Sequence, residues 1–223
     1  IMGLRILPFR QYSDHDVINL YSVIGSDVLD ATTDTGAGDA GVFVKVSDGD
    51  FDKEPVEYQT NSYLGDSSYP FLGTTKMYPE VNLKITGAKD EDHAIGMTLL
   101  QTAKNDENGE KLLYNPTKQA ELQAVLPGQA VPVATKGIFT LTSGAFEGPL
   151  SSYAPGNRIK LGSTAGKITG FASIAAGSIT TGDLVAEDKV FGHVLGTGSR
   201  LSTSGPVNDQ FQGTYIIVSF DCN

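Results

Sequence analysis

Turn residues set the first limit on what this chain can fold into. Its 26 glycines and 10 prolines, with Asn and Asp beside them, break the sequence into short segments rich in β-branched and aromatic side chains. Gly41-Val42-Phe43-Val44-Lys45-Val46 is bounded by glycine and by Asp48-Gly49. Glu80-Val81-Asn82-Leu83-Lys84-Ile85-Thr86 alternates, so Val81, Leu83 and Ile85 share one face. Ile95–Leu100, Gly137–Leu141, Arg158–Leu161, Lys167–Phe171, Val190–Leu195 and Thr214–Phe220 complete the set. Parallel neighbours need long crossovers, usually helical, whereas the connections here are short. The expected fold is therefore mainly β: an antiparallel barrel or sandwich with long loops, an extended N-terminal arm and at most one or two short helices.

Helical punctuation is good at one place. Asn115 suits the cap, Pro116 suits the first helical position, and Pro127-Gly128 stops a run over Thr117–Leu126. Ser13-Asp14-His15-Asp16 suits the opening of a second short helix, but Val17 and Ile18 are equally at home in a strand, and a strand is expected there. Polar stretches at 25–40, 60–76, 103–110 and 143–157 read as loops.

Charge divides the chain. Residues 1–110 hold 19 acidic and 8 basic side chains, while residues 111–223 hold 7 and 8, so the formal charge of −10 comes from the first part. The organisation read from this is an arm over 1–13, an acidic β-rich region over 14–110, and a Gly-rich barrel-like region over 111–223, either separate from 14–110 or continuous with it. A polyanion with a pI near 4.6 is repelled by nucleic acid and by anionic membranes, and neither is expected as a partner. No apolar window is long enough for a membrane helix. Hydrophobic residues at 39% and charged residues at 19% fit an ordinary globular chain rather than a disordered one.

The arm is different in kind. Ile1 to Ser13 carries Arg5 and Arg10, no acid, and apolar Leu4, Ile6, Leu7 and Phe9 around Pro8. Pro8 excludes a helix interior and pushes Leu7 toward extended geometry. Either the arm is an edge strand of its own fold, or it reaches onto a neighbour. Arg5, Arg10 and Pro8 also interrupt any secretory leader. The single thiol, Cys222, precludes an intrachain disulfide, and with Asp221 beside it and nothing basic nearby it reads as inert.

Several motifs have the letters of chemistry without its context. Gly36-Ala37-Gly38-Asp39-Ala40-Gly41 matches a dinucleotide fingerprint, but a polar loop precedes it and a strand follows it, so it reads as a glycine turn. Gly162-Ser163-Thr164-Ala165-Gly166-Lys167-Ile168 is one residue short of a phosphate loop, lacks the hydroxyl after the lysine, and runs straight into a strand. Asp48-Gly49-Asp50-Phe51-Asp52 resembles the start of a calcium loop, but Lys53 stands at the sixth position and Gln59 at the twelfth. His15, His93 and His193 are scattered, and no Cys or His spacing suits zinc. No enzymatic activity, metal or cofactor is expected. Tyr63, Tyr69, Phe71 and Tyr78 cluster in a loop-rich stretch, either as a contact surface or as a small satellite core.

One resemblance emerges from particular segments. These are Pro127-Gly128-Gln129-Ala130-Val131-Pro132-Val133-Ala134-Thr135-Lys136-Gly137-Ile138-Phe139-Thr140-Leu141, then Ala154-Pro155-Gly156-Asn157-Arg158-Ile159-Lys160-Leu161, Gly166-Lys167-Ile168-Thr169 and Val190-Phe191-Gly192-His193-Val194-Leu195-Gly196. Together they resemble the small β-barrels of tailed-bacteriophage capsid decoration (cement) proteins. Leu7-Pro8-Phe9-Arg10-Gln11-Tyr12 with Val17-Ile18-Asn19-Leu20-Tyr21 is similar to structural proteins of cyanobacterial and marine tailed phages. The resemblance implies a non-enzymatic virion protein, made in the host cytoplasm and placed on the outer capsid surface. Its implied partners are the major capsid protein and further copies of itself, as a homotrimer. Leu4, Arg5, Leu7, Phe9, Arg10, Tyr63, Tyr69 and Phe71 are the candidate interface residues. The competing function is a virion-surface β-module that binds host glycan or receptor through its aromatic loops.

Overall fold

The short apolar segments pair as two antiparallel sheets that share a core, a sandwich rather than a closed barrel among the described residues. The structure, a computed structural model, describes residues 5–24, 28, 38–50, 82–171, 189–200 and 213–223. The strands are β1 (Ile6–Gln11), β2 (Val17–Ile18), β3 (Phe43–Asp50), β4 (Asn82–Gly87), β5 (Gly96–Thr98), β6 (Gln101–Thr102), β7 (Ala124–Val125), β8 (Val133–Ala134), β9 (Lys136–Thr142), β10 (Arg158–Leu161), β11 (Ile168–Phe171), β12 (Gly192–Arg200) and β13 (Gly213–Asp221). The first sheet runs β1-β9-β13-β12-β10-β11 and the second β2-β8-β5-β3-β4. A small parallel pair, β6-β7, stands apart from both.

Register follows from burial. On β13, Ile216, Val218 and Phe220 point inward and are buried, and on β9 Phe139 and Leu141 do the same. Leu141 lies opposite Ile216 and Phe139 opposite Val218. The second sheet is buried on both faces. Phe43, Met97 and Ala134 join the main core with Phe139 and Phe220. Val42, Val44, Ile85 and Val133 form a second cluster with Val23 and Val131. This explains the unbroken Val42-Phe43-Val44 run, since a strand covered on both sides needs apolar residues on both. The main core draws on both the acidic region and the Gly-rich region, so the charge boundary near residue 110 does not divide it.

Local signals hold in part. Asn115 caps the helix, its Oδ1 accepting from the Lys118 amide at 3.2 Å. The helix α1 (Pro116–Glu121) stops well before the expected Pro127-Gly128. Gln123 takes φ +49°, the Gln101 side-chain Nε2 donates to the Leu122 carbonyl, and Ala124 and Leu126 leave the helical path to pack on Ala103 and Leu112. Tertiary burial overrides the propensity of the run. Near residue 15 both readings apply in sequence. Ser13 caps a single 3-10 turn, Asp14–Asp16, and β2 follows at once.

The N-terminal segment is an edge strand of its own sheet, the first of its two readings. β1 pairs with β9 at Ile6–Leu141, Arg10–Phe139 and Gln11–Ile138. The register shifts between Ile6 and Arg10, so β1 carries extra residues around Pro8. A bulge and a proline both blunt an edge against further pairing. The segment is anchored by a buried ion pair, Arg5 Nε to Asp39 Oδ2 at 2.5 Å, and both side chains are about nine-tenths buried. Asp39 belongs to the glycine turn 38–41, which leads into β3 and has no helix behind it, as expected.

Breaking such a pair leaves one uncompensated buried charge. Arg5→Ala is expected to cost about 3–5 kcal/mol in urea unfolding, and the double variant Arg5→Met/Asp39→Leu to recover most of that loss.

Candidate functional site

The period of two that buries Ile216 and Val218 turns Tyr215 and Ile217 to the opposite face of the first sheet. Thr140 lies opposite Ile217 on β9. The β12 bulge between Val194 and Gly196 and the glycines after it lower the neighbouring strand. The Tyr215 ring lies so close over Gly198 that a Cβ there would collide with it. Beyond β9, the bulged β1 brings up Leu7, Pro8 and Phe9. The result is an apolar groove of about 650 Å³, open along one side, with Ser199 and Arg200 at its β12 end.

Its edge carries an exposed aromatic ring. Phe9 is 79% exposed although its neighbours Ile6 and Leu7 are buried, because the bulge turns it outward. Arg10 follows on the same strand, exposed, its guanidinium 5.9 Å from the Tyr12 ring centre. An apolar hollow with an exposed aromatic side chain at its edge and Arg200 at one end has the composition of a protein contact surface, in which aromatics and Arg are enriched.

Of the residues singled out from sequence, Leu7 and Phe9 therefore lie on one surface, while Arg10, opposite the inward-facing Phe139 and over the Tyr12 ring, is not part of the groove lining. Arg5 does not join them, since it faces Asp39 of its own chain rather than a partner. Leu4, Tyr63, Tyr69 and Phe71 lie outside the described residues, as does most of the Asp48–Gln59 stretch. Tyr215, Ile217, Thr140 and Arg200 were not singled out. The signal was present in Thr214–Phe220, which is apolar at both odd and even positions and thus has a second hydrophobic face.

A second hollow, about 230 Å³ and polar, is lined by Asp90, Asp92, His93, Lys189, Asp221 and Cys222 among others. The charged run 89–93 is a partly exposed loop whose carboxylates are gripped by lysines from three places. Lys45 reaches Asp92 at 2.7 Å, Lys160 reaches Asp90 at 3.2 Å and Lys189 reaches Glu91 at 3.1 Å. Burial works to raise the Asp92 pKa, but the Lys45 ammonium and the Lys89 amide outweigh it and hold the carboxyl below its usual range. Asp221 is likewise lowered, by Lys136 first. Carboxylates held ionised in this way are matched to bridging strands rather than to donating protons. Burial, and then the charge of Asp221, push the Cys222 thiol up to about 12. His15, His93 and His193 are all exposed. Among the described residues, no group of three or more His, Cys, Asp or Glu is placed to hold a metal, and no helix is long and apolar enough to cross a membrane.

No family model, curated protein or solved structure matches the chain.

Two outcomes are expected here. Phe9→Ser should leave thermal stability almost unchanged, within about 0.5 kcal/mol, because the ring contributes little to its own core. Cys222 should be alkylated by iodoacetamide at pH 8 at least about tenfold more slowly than an unhindered thiol, since the thiolate is the nucleophile.

Proposed function

We propose that this chain is a structural protein of a tailed-phage virion that binds the outer surface of the head, contacts the major capsid protein and reinforces the shell without catalysis. The observation that carries this reading is the groove on the outward face of the first sheet, with Phe9 beside it. Isolated apolar side chains on a surface need no explanation, but a contiguous apolar hollow with an aromatic edge is matched to a protein partner. The segments that resemble decoration proteins supply β8, most of β9, β10 and parts of β11 and β12, and of their residues Thr140 on β9 lies in the groove itself.

The physical logic is attachment by many weak sites. Burying the Phe9 ring in a partner contributes roughly 1.5–3 kcal/mol. Association as a homotrimer multiplies such contacts, so modest single-site affinity becomes firm occupancy on a symmetric shell. The bulge and Pro8 bear on the mode of contact. They disfavour strand addition along the β1 edge and leave side-chain insertion at the sheet face.

The test mixes purified protein with expanded, DNA-free heads built from the major capsid protein of the same virus and measures the bound ratio by sedimentation. Saturable, stoichiometric binding is expected, with free protein sedimenting at three times 23.6 kDa. Phe9→Ser and Ile217→Lys should each weaken head binding by at least about tenfold while the protein stays folded. Failure of the unaltered protein to bind such heads overturns the reading. Full occupancy by both variants removes the groove from it.

A further inference from the structure

The turn between β10 and β11 is the segment whose sequence lies one residue short of a phosphate loop. It begins at Gly162, ends at Lys167, and closes on itself through the Gly162 amide to the Lys167 carbonyl at 2.8 Å and the Lys167 amide to the Thr164 carbonyl at 3.1 Å. Two successive backbone amides point into it. Both meet a carboxylate from elsewhere in the chain. Glu147 Oε1 accepts from the Ser163 amide at 2.6 Å, and Oε2 accepts from the Thr164 amide at 3.1 Å. The Ser163 hydroxyl lies 3.2 and 3.3 Å from the two carboxylate oxygens. Gly162 is required by this fit, since a Cβ there would lie 2.6 Å from the Glu147 carboxyl carbon.

We infer that the Gly162–Gly166 turn is an anion-binding loop whose ligand is supplied by the chain itself, and that the Glu147 carboxylate seated in it clasps the two sheets together. Successive amides converging on one anion form the backbone concavity that holds phosphate in other loops, here without a helix behind it. The ligand is firmly delivered. The Glu147 amide donates to the Ile168 carbonyl at 3.0 Å, and its carbonyl accepts from the Tyr153 hydroxyl at 2.5 Å. The turn in turn reaches the second sheet. The Gly166 amide donates to Ala88 at 2.7 Å, the Phe43 amide donates to Gly166 at 3.2 Å, and the Asp90 amide donates to Gly162 at 2.9 Å. Three cross-sheet bonds thus depend on a turn whose shape is set by one carboxylate.

The clasp is sensitive to acid. Burial works to raise the Glu147 pKa, but the amides and hydroxyls of Ser163 and Thr164 outweigh it and hold the group below the ordinary 4.5. A lowered folded pKa stabilises the fold above the unfolded value and loses that contribution as pH falls through the folded one. The other titratable groups on the elements packed here are Tyr153, Lys167 and Asp90 with its partner Lys160. All of these are common to the wild type and to any Glu147 variant, so they cancel in their difference.

The test compares the full chain with Glu147→Gln and Glu147→Ala. At pH 7 Glu147→Gln should melt about 2–6 °C lower than wild type, and the gap should narrow as the pH falls below 4.5. Hydrogen exchange should quicken at least about tenfold at the Phe43, Asp90 and Gly166 amides while β12–β13 amides keep their rates. In Glu147→Ala, added acetate or inorganic phosphate should raise the melting temperature more than it does in wild type. A gap that persists unchanged to pH 3, or unaltered exchange at those three amides, overturns the clasp. An equal response of Glu147→Ala and wild type to both anions overturns the anion-binding loop. If Glu147→Ala does not fold, anion titration of Glu147→Gln decides that last point in the same way.

Discussion

The contact on which the rest of the molecule depends is the packing of aromatic rings between the sheets. Phe220 sits at its centre, 5.1 Å from Phe43 of the second sheet in an edge-on arrangement and 5.4 Å from Phe139 of the neighbouring strand. Tyr12 stacks on Phe139 at 5.6 Å, and Phe191 closes against Phe43 at 5.2 Å. Ring pairs of this kind add about 0.5–1.5 kcal/mol each beyond the area they bury. Their larger effect is on register. With Phe139 and Phe220 committed inward, alternation commits Ile217 and Tyr215 outward, and a slip of one residue would exchange the two faces. The groove is thus the reverse side of the core, fixed by the same rings.

The charged groups work as ties between elements. A chain with formal charge −10 repels itself, yet several carboxylates of the described acidic stretch are matched by lysines from distant segments. Solvent-exposed pairs of this kind contribute little singly. What they do is hold the 89–93 loop over the seam between the sheets, close to where the β10–β11 turn crosses it. The buried Arg5–Asp39 pair differs in kind, because solvent does not screen it.

Much of this architecture could be read from residue order, and the reasons for the remainder are physical. Alternation and β-branching locate β4, β9, β10 and β13 because those strands have a single dominant inner face or end in clear turns. β12 runs on to Arg200, past the expected Leu195, because glycine-rich polar residues there pair with β13 beneath the Tyr215 ring. The helix ends early because residues with helical propensity are needed in a satellite core. Leu7 and Phe9 announce themselves as apolar residues around a proline, but whether they pair at home or abroad depends on β9, far along the chain. The partnerships of Arg5 with Asp39 and of Glu147 with Ser163 and Thr164 join residues whose spacing carries no pattern, so only the fold brings them together.

The strand order of the first sheet also dictates when it can form. β1 has no described partner but β9, and β9 lies between β1 and β13, whose own partner on the other side is β12. During synthesis the N-terminal strand therefore emerges long before the strands that complete its sheet. Until β13 leaves the ribosome, β9 lacks its inner neighbour and Ile6 and Leu7 lack a finished layer to cover. Closing such distant pairs carries a loop-entropy cost before any burial offsets it, which makes the sheet slow to nucleate. In that interval the proline within β1 keeps its most apolar early segment from offering a regular edge to other nascent chains.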